Sequence, residues 1–301
     1  VSRFAFLAQK LYNCPLAITP EKGEMVAAAL AERLGVSRFR RSSGETVPLA
    51  PAAWMDDDED VSSARARRKE DQGYDVVSGV AVIPVRGTLV QRLGSVRPYC
   101  GMTGYDGIRL SVMCALSDEK VDAIVLDIDS PGGEVCGCFD LVDTIYNARG
   151  IKPIWSILNE SAFSAAYAIA SAADVVTVPR TGGTGSVGVI LMHTDISKAL
   201  SKEGVTVTLI TYGDRKGEGS SYAPLADEAL SRLQADVDAM GDLFVQTVAR
   251  NRGIPAKQVR DTEAGTFLGS AGVAGQYADR VMSPDQAFRA LLASLPSKRK
   301  N

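Results

Sequence analysis

From Val76 onward the sequence alternates short apolar runs with amphipathic stretches, and that alternation narrows the fold to an α/β domain on a mostly parallel sheet. Val80–Val85, Ala123–Ile128, Ile154–Leu158 and Asp174–Val178 have the length and apolar character of strands buried on both faces. Between the first two, Tyr105–Leu116 carries Ile108, Val112 and Leu116 at helical spacing, and Leu141–Ala148 reads as a second helix. Repeated crossovers of this kind join parallel neighbours. Further on, Asp195–Lys202 is expected to be a helix, Val205–Tyr212 a strand of alternating β-branched residues, and Asp227–Arg252 a long helix. That helix bears Leu230, Leu233, Val237, Met240 and Phe244 at spacings of three and four, a stripe that must cover its own core or a neighbouring subunit. Thr262–Val281, rich in glycine and alanine, is expected to complete the domain.

Before this region, Pro20 and Gly35 bound a short helical pattern. No apolar period holds from Ser37 to Gln72, where an acidic block at Asp56–Asp60 precedes Arg65, Arg67, Arg68 and Lys69, so this stretch reads as a flexible charged linker. The expected organisation is a helical segment at 1–36, a linker at 37–75, the α/β domain at 76–292 and a disordered tail at 293–301. With 33 basic and 36 acidic side chains the net charge is −3, which offers nucleic acid no general attraction. The five cysteines, Cys14, Cys100, Cys114, Cys136 and Cys138, show neither paired spacing nor a histidine partner for zinc, and are expected to be free thiols in a reducing cytosol. Gln9 and Lys10 interrupt the N-terminal apolar run, and Ser164, Ser171 and Asp174 interrupt the one at 162–178, so neither export nor a membrane span is expected.

Chemistry concentrates where the apolar strand before Ser161 gives way to a helix of small residues. Ser164 stands at that junction, beside unpaired backbone N–H groups and the positive end of a helix dipole, a setting that favours negative charge developing on oxygen. Serine is also the ordinary N-cap of a helix, so Ser164 is either a cap or a nucleophile. The chain has one histidine, His193; the base is therefore that residue or a lysine whose pKa falls from about 10.4 in a dry cleft. Lys198 and Lys202 lie on an expected polar-faced helix, while Lys216 lies in the loop Gly213–Gly219, where lysines are usually solvated. Upstream, Ser130-Pro131-Gly132-Gly133 follows the strand Ile124–Asp129 and reads as a turn that brings backbone N–H groups close to a ligand. A tetrahedral oxyanion needs two donors, and Gly133 and Ala165 fit those roles. Asp127 and Asp129 alternate with apolar residues, but no third ligand lies near them in sequence, and no metal is expected.

Leu126–Gly133, the Ser-Ala-Ala-Tyr at Ser164–Tyr167, Ala170–Asp174 and Thr184–Val189 occur in an order that resembles the signal peptide peptidase A family of serine peptidases, in the branch that includes phage capsid (prohead) proteases. The resemblance runs from about Val80 to Ala290. It implies a ClpP/crotonase-like fold, with repeated β-β-α/βα units around a mostly parallel sheet, and a Ser-Lys dyad of Ser164 as nucleophile and Lys216 as general base. It further implies oxyanion donors at Gly133 and Ala165, no cofactor, and a protein or peptide substrate among phage head-assembly proteins. Family members form rings, so a homo-oligomer is expected, with serine and lysine from one subunit or from two. Ser186 would orient the lysine amine, or merely complete a tight Gly-Ser-Val-Gly turn. The expected location is the cytoplasm of a bacterial host, including the inside of a phage prohead. Ala165-Ala166 replaces the Gly-Gly of many members, and Asp214-Arg215-Lys216 replaces a frequent Ala-His-Lys; Arg215 would depress the lysine pKa if it pointed inward. Two other readings share the fold: a crotonase-type acyl-CoA enzyme using carboxylates and an adenine pocket, and a non-catalytic scaffold.

Overall fold

In chain order the strands are β1 (Pro15–Ile18), β2 (Arg38–Arg40), β3 (Thr46–Pro48), β4 (Asp75–Val77), β5 (Val80–Val90), β6 (Met102–Gly104), β7 (Ala123–Glu134), β8 (Ile154–Ala162), β9 (Val175–Val178), β10 (Gly183–Gly185), β11 (Ile190–Leu191), β12 (Thr266–Leu268) and β13 (Arg280–Val281). The helices are α1 (Tyr105–Ser117), α2 (Cys138–Asn147), α3 (Ala165–Ser171), α4 (Ser197–Lys202), α5 (Asp227–Arg252), α6 (Ala256–Arg260), α7 (Ser270–Ala274) and α8 (Pro284–Ser294). This computed structural model describes residues 14–20, 22–23, 38–40, 46–48 and 72–296. Most of the expected helix at 20–35, most of the expected linker at 37–75 and the end of the tail lie outside the described residues; within the linker range β2 and β3 pair antiparallel. Those described fall into two units: a larger one of 17–19, 72–189 and 241–296, and a smaller one of 190–240 with the remaining residues before 49.

The larger unit is the expected α/β arrangement. β5 pairs with β7, β7 with β8, β8 with β9, and β9 with β13, all parallel. β6 adds parallel to β5, and β4 adds antiparallel through the two-residue turn Ser78-Gly79, both at positive φ as a tight hairpin requires. Side chains alternate across β7. Ile124, Leu126 and Ile128 are fully buried on one face. α1 packs on β5 and β7, and α3 packs on β7, β8 and α2. On the opposite face Val80, Ala123, Val125, Trp155 and Ile157 form a cluster with Ala287 and Leu291 of α8. Burial of each large aliphatic side chain contributes about 1.5–3 kcal/mol. A capping box between Ser283 and Gln286 starts α8 where that face needs it.

Two expectations are corrected here. Ser130-Pro131-Gly132-Gly133 is not a turn after the strand but its continuation, because β5 runs on to Val90 and keeps pairing, Thr88 with Gly132 and Leu89 with Gly133. The continuation is kinked: register shifts fall between Arg86 and Thr88 on β5, and between Ile128 and Ser130 against β8.

The second correction lies in the smaller unit. There β1 and β11 pair antiparallel, Pro15 with Leu191 and Leu16 with Ile190. Val205–Tyr212 is not a strand of any sheet. Among the described residues nothing hydrogen-bonds to the backbone of Thr206–Tyr212, and its apolar side chains are exposed, Ile210 by 95% and Tyr212 by 101%. The β-branched alternation disposes the chain to extend, but a strand needs a partner, and this stretch has none among the described residues. α5 has the expected bounds, and its stripe divides. Phe244 is fully buried and meets Phe139 edge-on at 5.6 Å, whereas Leu230 is exposed.

Candidate active site

β8 ends at Ala162 and α3 begins at Ala165, leaving Ser164 at the junction with φ 53° and ψ −121°. A non-glycine residue in this region costs about 1–3 kcal/mol and persists only where its surroundings impose it. They do so here. The Ser164 N–H donates to Gly185 O at 2.9 Å, the Phe163 N–H to Ser130 O at 3.1 Å, and the Ala168 N–H to Ser164 O at 2.9 Å. The Ser164 hydroxyl does not cap the helix. Among the described residues its one partner is Gly188 O, at 3.5 Å, and the residue is 1% exposed. The cap reading therefore fails, and the hydroxyl remains available for chemistry.

α3 is buried throughout, and four of its seven residues are alanine. The far end of α3 is held by Arg149, a residue that apolar pattern and motif did not bring forward. Its Nε donates to Ala172 O at 2.8 Å, and its Nη2 to Ser171 O at 2.9 Å, Ala173 O at 2.7 Å and Asn251 O at 3.1 Å. One guanidinium thus satisfies the last carbonyl of the helix and those of the two residues that follow it. Burial lowers the Arg149 pKa from its ordinary value, against the opposing charge of Asp174. Near the other end, the Cys138 thiol lies 3.8 Å from Ala165 O, and burial pushes its pKa up to about 12, so it stays protonated at neutral pH and is a poor nucleophile.

The kinked end of β7 presses against this junction. A Cβ on Gly132 would come within 3.0 Å of Ser164 Cβ, 3.1 Å of Ala165 N and 2.1 Å of Ala17 O. One on Gly133 would overlap Leu89 O at 1.9 Å. With φ at +102°, Gly132 also adopts a conformation few other residues tolerate. Both glycines are thus set by close approach of backbone to backbone.

Ser186 follows Gly185, whose carbonyl accepts the Ser164 N–H. It has φ +56° and is nearly buried; its N–H donates to Gly265 O at 2.9 Å, and its carbonyl accepts from Gly188 N–H at 3.1 Å. Ser164, Ala165, Gly133 and Ser186 therefore gather in the larger unit. Lys216 belongs to the smaller unit, exposed on a 3-10 turn at Asp214–Gly217. His193 Nε2 lies 3.2 Å from Ser220 O in that unit, where it can donate to the carbonyl. Asp127 is ion-paired with Arg86 and accepts from Asn159, and Asp129 lies 3.5 Å from the Ser161 N–H. Among the described residues, no group of three or more His, Cys, Asp or Glu side chains could hold a metal, and no helix is long and apolar enough to cross a membrane.

The model of Peptidase family S49 matches residues 147–295. The chain is similar to the capsid assembly protease C of Escherichia phage lambda, 37% identical over 298 residues, covering 97% of this chain and 66% of that one. It is 36% identical over 286 residues to the head-tail preconnector protein GP5 of Enterobacteria phage P21, covering 95% and 56% respectively. A putative protease of Synechocystis sp. is 32% identical over 196 residues, covering 63% of this chain and 70% of that protein. The chain thus spans less than two thirds of the length of either phage relative.

Proposed function

The chain belongs to peptidase family S49, and we propose that it is a serine endopeptidase with a Ser164–Lys216 dyad on a ClpP/crotonase-like fold. The Lys216 amine takes the proton from Ser164 Oγ as that oxygen attacks a peptide carbonyl carbon. The resulting oxyanion accepts hydrogen bonds from the Gly133 and Ala165 N–H groups, and Ser186 orients the amine. Lys216 then protonates the departing amine, and a water deprotonated by Lys216 releases the acyl group. No step requires a cofactor.

The observation that carries this reading is Ser164 itself: buried, uncapped, held at positive φ, with Gly132 pressed against it. The names of the phage relatives support a substrate among head-assembly proteins. The bare stretch Thr206–Tyr212 supports a working form with several subunits, since a second chain can supply the missing backbone partners. Lys216 follows that stretch and is exposed in the single chain, whereas a lysine base must be desolvated; assembly that covers this region would dry it. A fluorophosphonate probe should label the protein at Ser164, and Ser164→Ala should abolish labelling and cleavage while leaving assembly intact. Full cleavage by Ser164→Ala overturns the reading.

A further inference from the structure

Ser130 stands where the two halves of the proposed site meet. Its main-chain carbonyl accepts the Phe163 N–H at 3.1 Å, one residue before the nucleophile. Its side chain, in a residue 2% exposed, works in the other direction. Ser130 Oγ donates to Gly87 O at 2.6 Å and accepts the Gly132 N–H at 3.1 Å. A hydroxyl has one proton, and with that proton on Gly87 O a lone pair faces Gly132. Both bonds are therefore made without conflict.

Gly87 and Ser130 occupy the two irregularities of the sheet. Gly87 has φ +66° and falls within the β5 register shift, and Ser130 ends the shift between β7 and β8. A shifted register takes carbonyls and N–H groups out of the regular ladder. The Ser130 hydroxyl bridges that gap, tying the bulge of β5 to the kinked end of β7. The same strand end is fastened further along, where Glu134 accepts the Gln91 N–H at 2.5 Å and Tyr105 Oη donates to Glu134 O at 2.6 Å. Pro131 contributes no N–H of its own. Between Pro131 and Glu134, the Gly132 amide is engaged in holding the strand end, and the next amide, Gly133, is the one assigned to the oxyanion.

We propose that Ser130 is a positioning residue for catalysis: its hydroxyl sets the placement of Gly132-Gly133 against Ser164 and so the reach of the oxyanion donor. This rests on the peptidase reading above. Loss of an oxyanion donor costs about 10²–10³ in kcat, and a small misplacement of a catalytic group about 10². Ser130→Ala should therefore lower kcat by about 10- to 100-fold, with KM within about twofold. The pH midpoints of kcat/KM should not move, because the base is untouched. Ser130→Thr, which keeps the hydroxyl, should recover most of kcat. Ser130→Cys has nearly the same shape and a far weaker hydrogen bond; it is read in the same way if the alanine variant does not assemble. A Ser130→Ala kcat within about twofold of wild type overturns the proposal, as does a Ser130→Thr enzyme no faster than Ser130→Ala. Fluorophosphonate labelling separates the two levels of inference. Wild type that fails to label at Ser164 sinks the peptidase reading, whereas Ser130→Ala labelling as fast as wild type sinks only the role of Ser130.

Discussion

Ile210→Ser tests whether the bare stretch at 205–212 is an assembly element. Ile210 is 95% exposed in the single chain, so the substitution removes nothing from that chain's core. Exposed substitutions of this kind usually change subunit stability by no more than about 0.5 kcal/mol. If a second subunit covers Ile210, the same change forfeits burial of a whole isoleucine side chain, about 1.5–3 kcal/mol at each contact. At about 1.4 kcal/mol per factor of ten, the dissociation constant rises by about 10- to 150-fold for each interface. The assay is sedimentation velocity across a concentration series, with peptide hydrolysis followed on the same samples. The expected result is a shift of the assembly midpoint to higher concentration, with activity following the assembled fraction and the thermal midpoint of the dissociated subunit unchanged. Tyr212→Ser, at the most exposed side chain of the stretch, should add to the shift. A variant that assembles at wild-type concentrations refutes the reasoning, and so does a wild type that remains fully active as a monomer.

Two further outcomes follow from groups away from the assembly element. Arg149→Ala leaves the Ser171, Ala172 and Ala173 carbonyls without the donor they share, and an unsatisfied buried acceptor costs about 1–3 kcal/mol, so urea unfolding should show a loss of about 2–4 kcal/mol that Arg149→Lys partly recovers; unchanged stability contradicts the clamp. Burial pushes the Asp279 carboxyl up, but bonds from Arg252 and from the Val176 N–H outweigh it and hold the group below its ordinary 3.8. Because the folded value lies below the unfolded one, this stabilisation is complete above pH 3.8 and is lost as pH falls through the folded value. The difference in thermal midpoint between wild type and Asp279→Asn should therefore be widest near neutrality and close at strongly acidic pH, and a difference independent of pH refutes it.

The order of strands and helices in the larger unit was legible because its pattern is local and its burial complete. The apolar runs Val80–Val85 and Ala123–Ile128 lie in β5 and β7 but stop short of the ends of both strands. The extension of β5 and β7 through Gly87 and Gly132-Gly133 depends on mutual pairing across a shifted register, which no property of either segment alone announces. The bounds of α5 were readable from its apolar stripe. Which residues of that stripe are covered was not, because periodicity records a face and not its occupant. The same limit explains Val205–Tyr212: its composition is that of a strand, and only the absence of a paired neighbour among the described residues distinguishes it. Ser164 could be placed at a helix start, yet cap and nucleophile differ by one hydrogen bond, and that bond is missing only in three dimensions.

The strained conformation at Ser164 has a consistent origin in the bonds around it. A helix as short as α3 has little stability of its own, because nucleation is costly and few intrahelical bonds can form. Left free, so short a helix would fray at its ends. Arg149 closes that route at the carboxyl end by binding three successive carbonyls. Gly185 and Ser130 close it at the other, through the N–H groups of Ser164 and Phe163. The run of alanines between lets neighbouring backbones approach closely enough for both sets of bonds to be made. A larger residue at Ala165 or Ala168, each fully buried, would push the helix away from one anchor or the other. Small side chains in this helix are thus a mechanical requirement for keeping Ser164 strained, and Ser130, bonded to both Phe163 and Gly132, carries the same constraint to the end of β7.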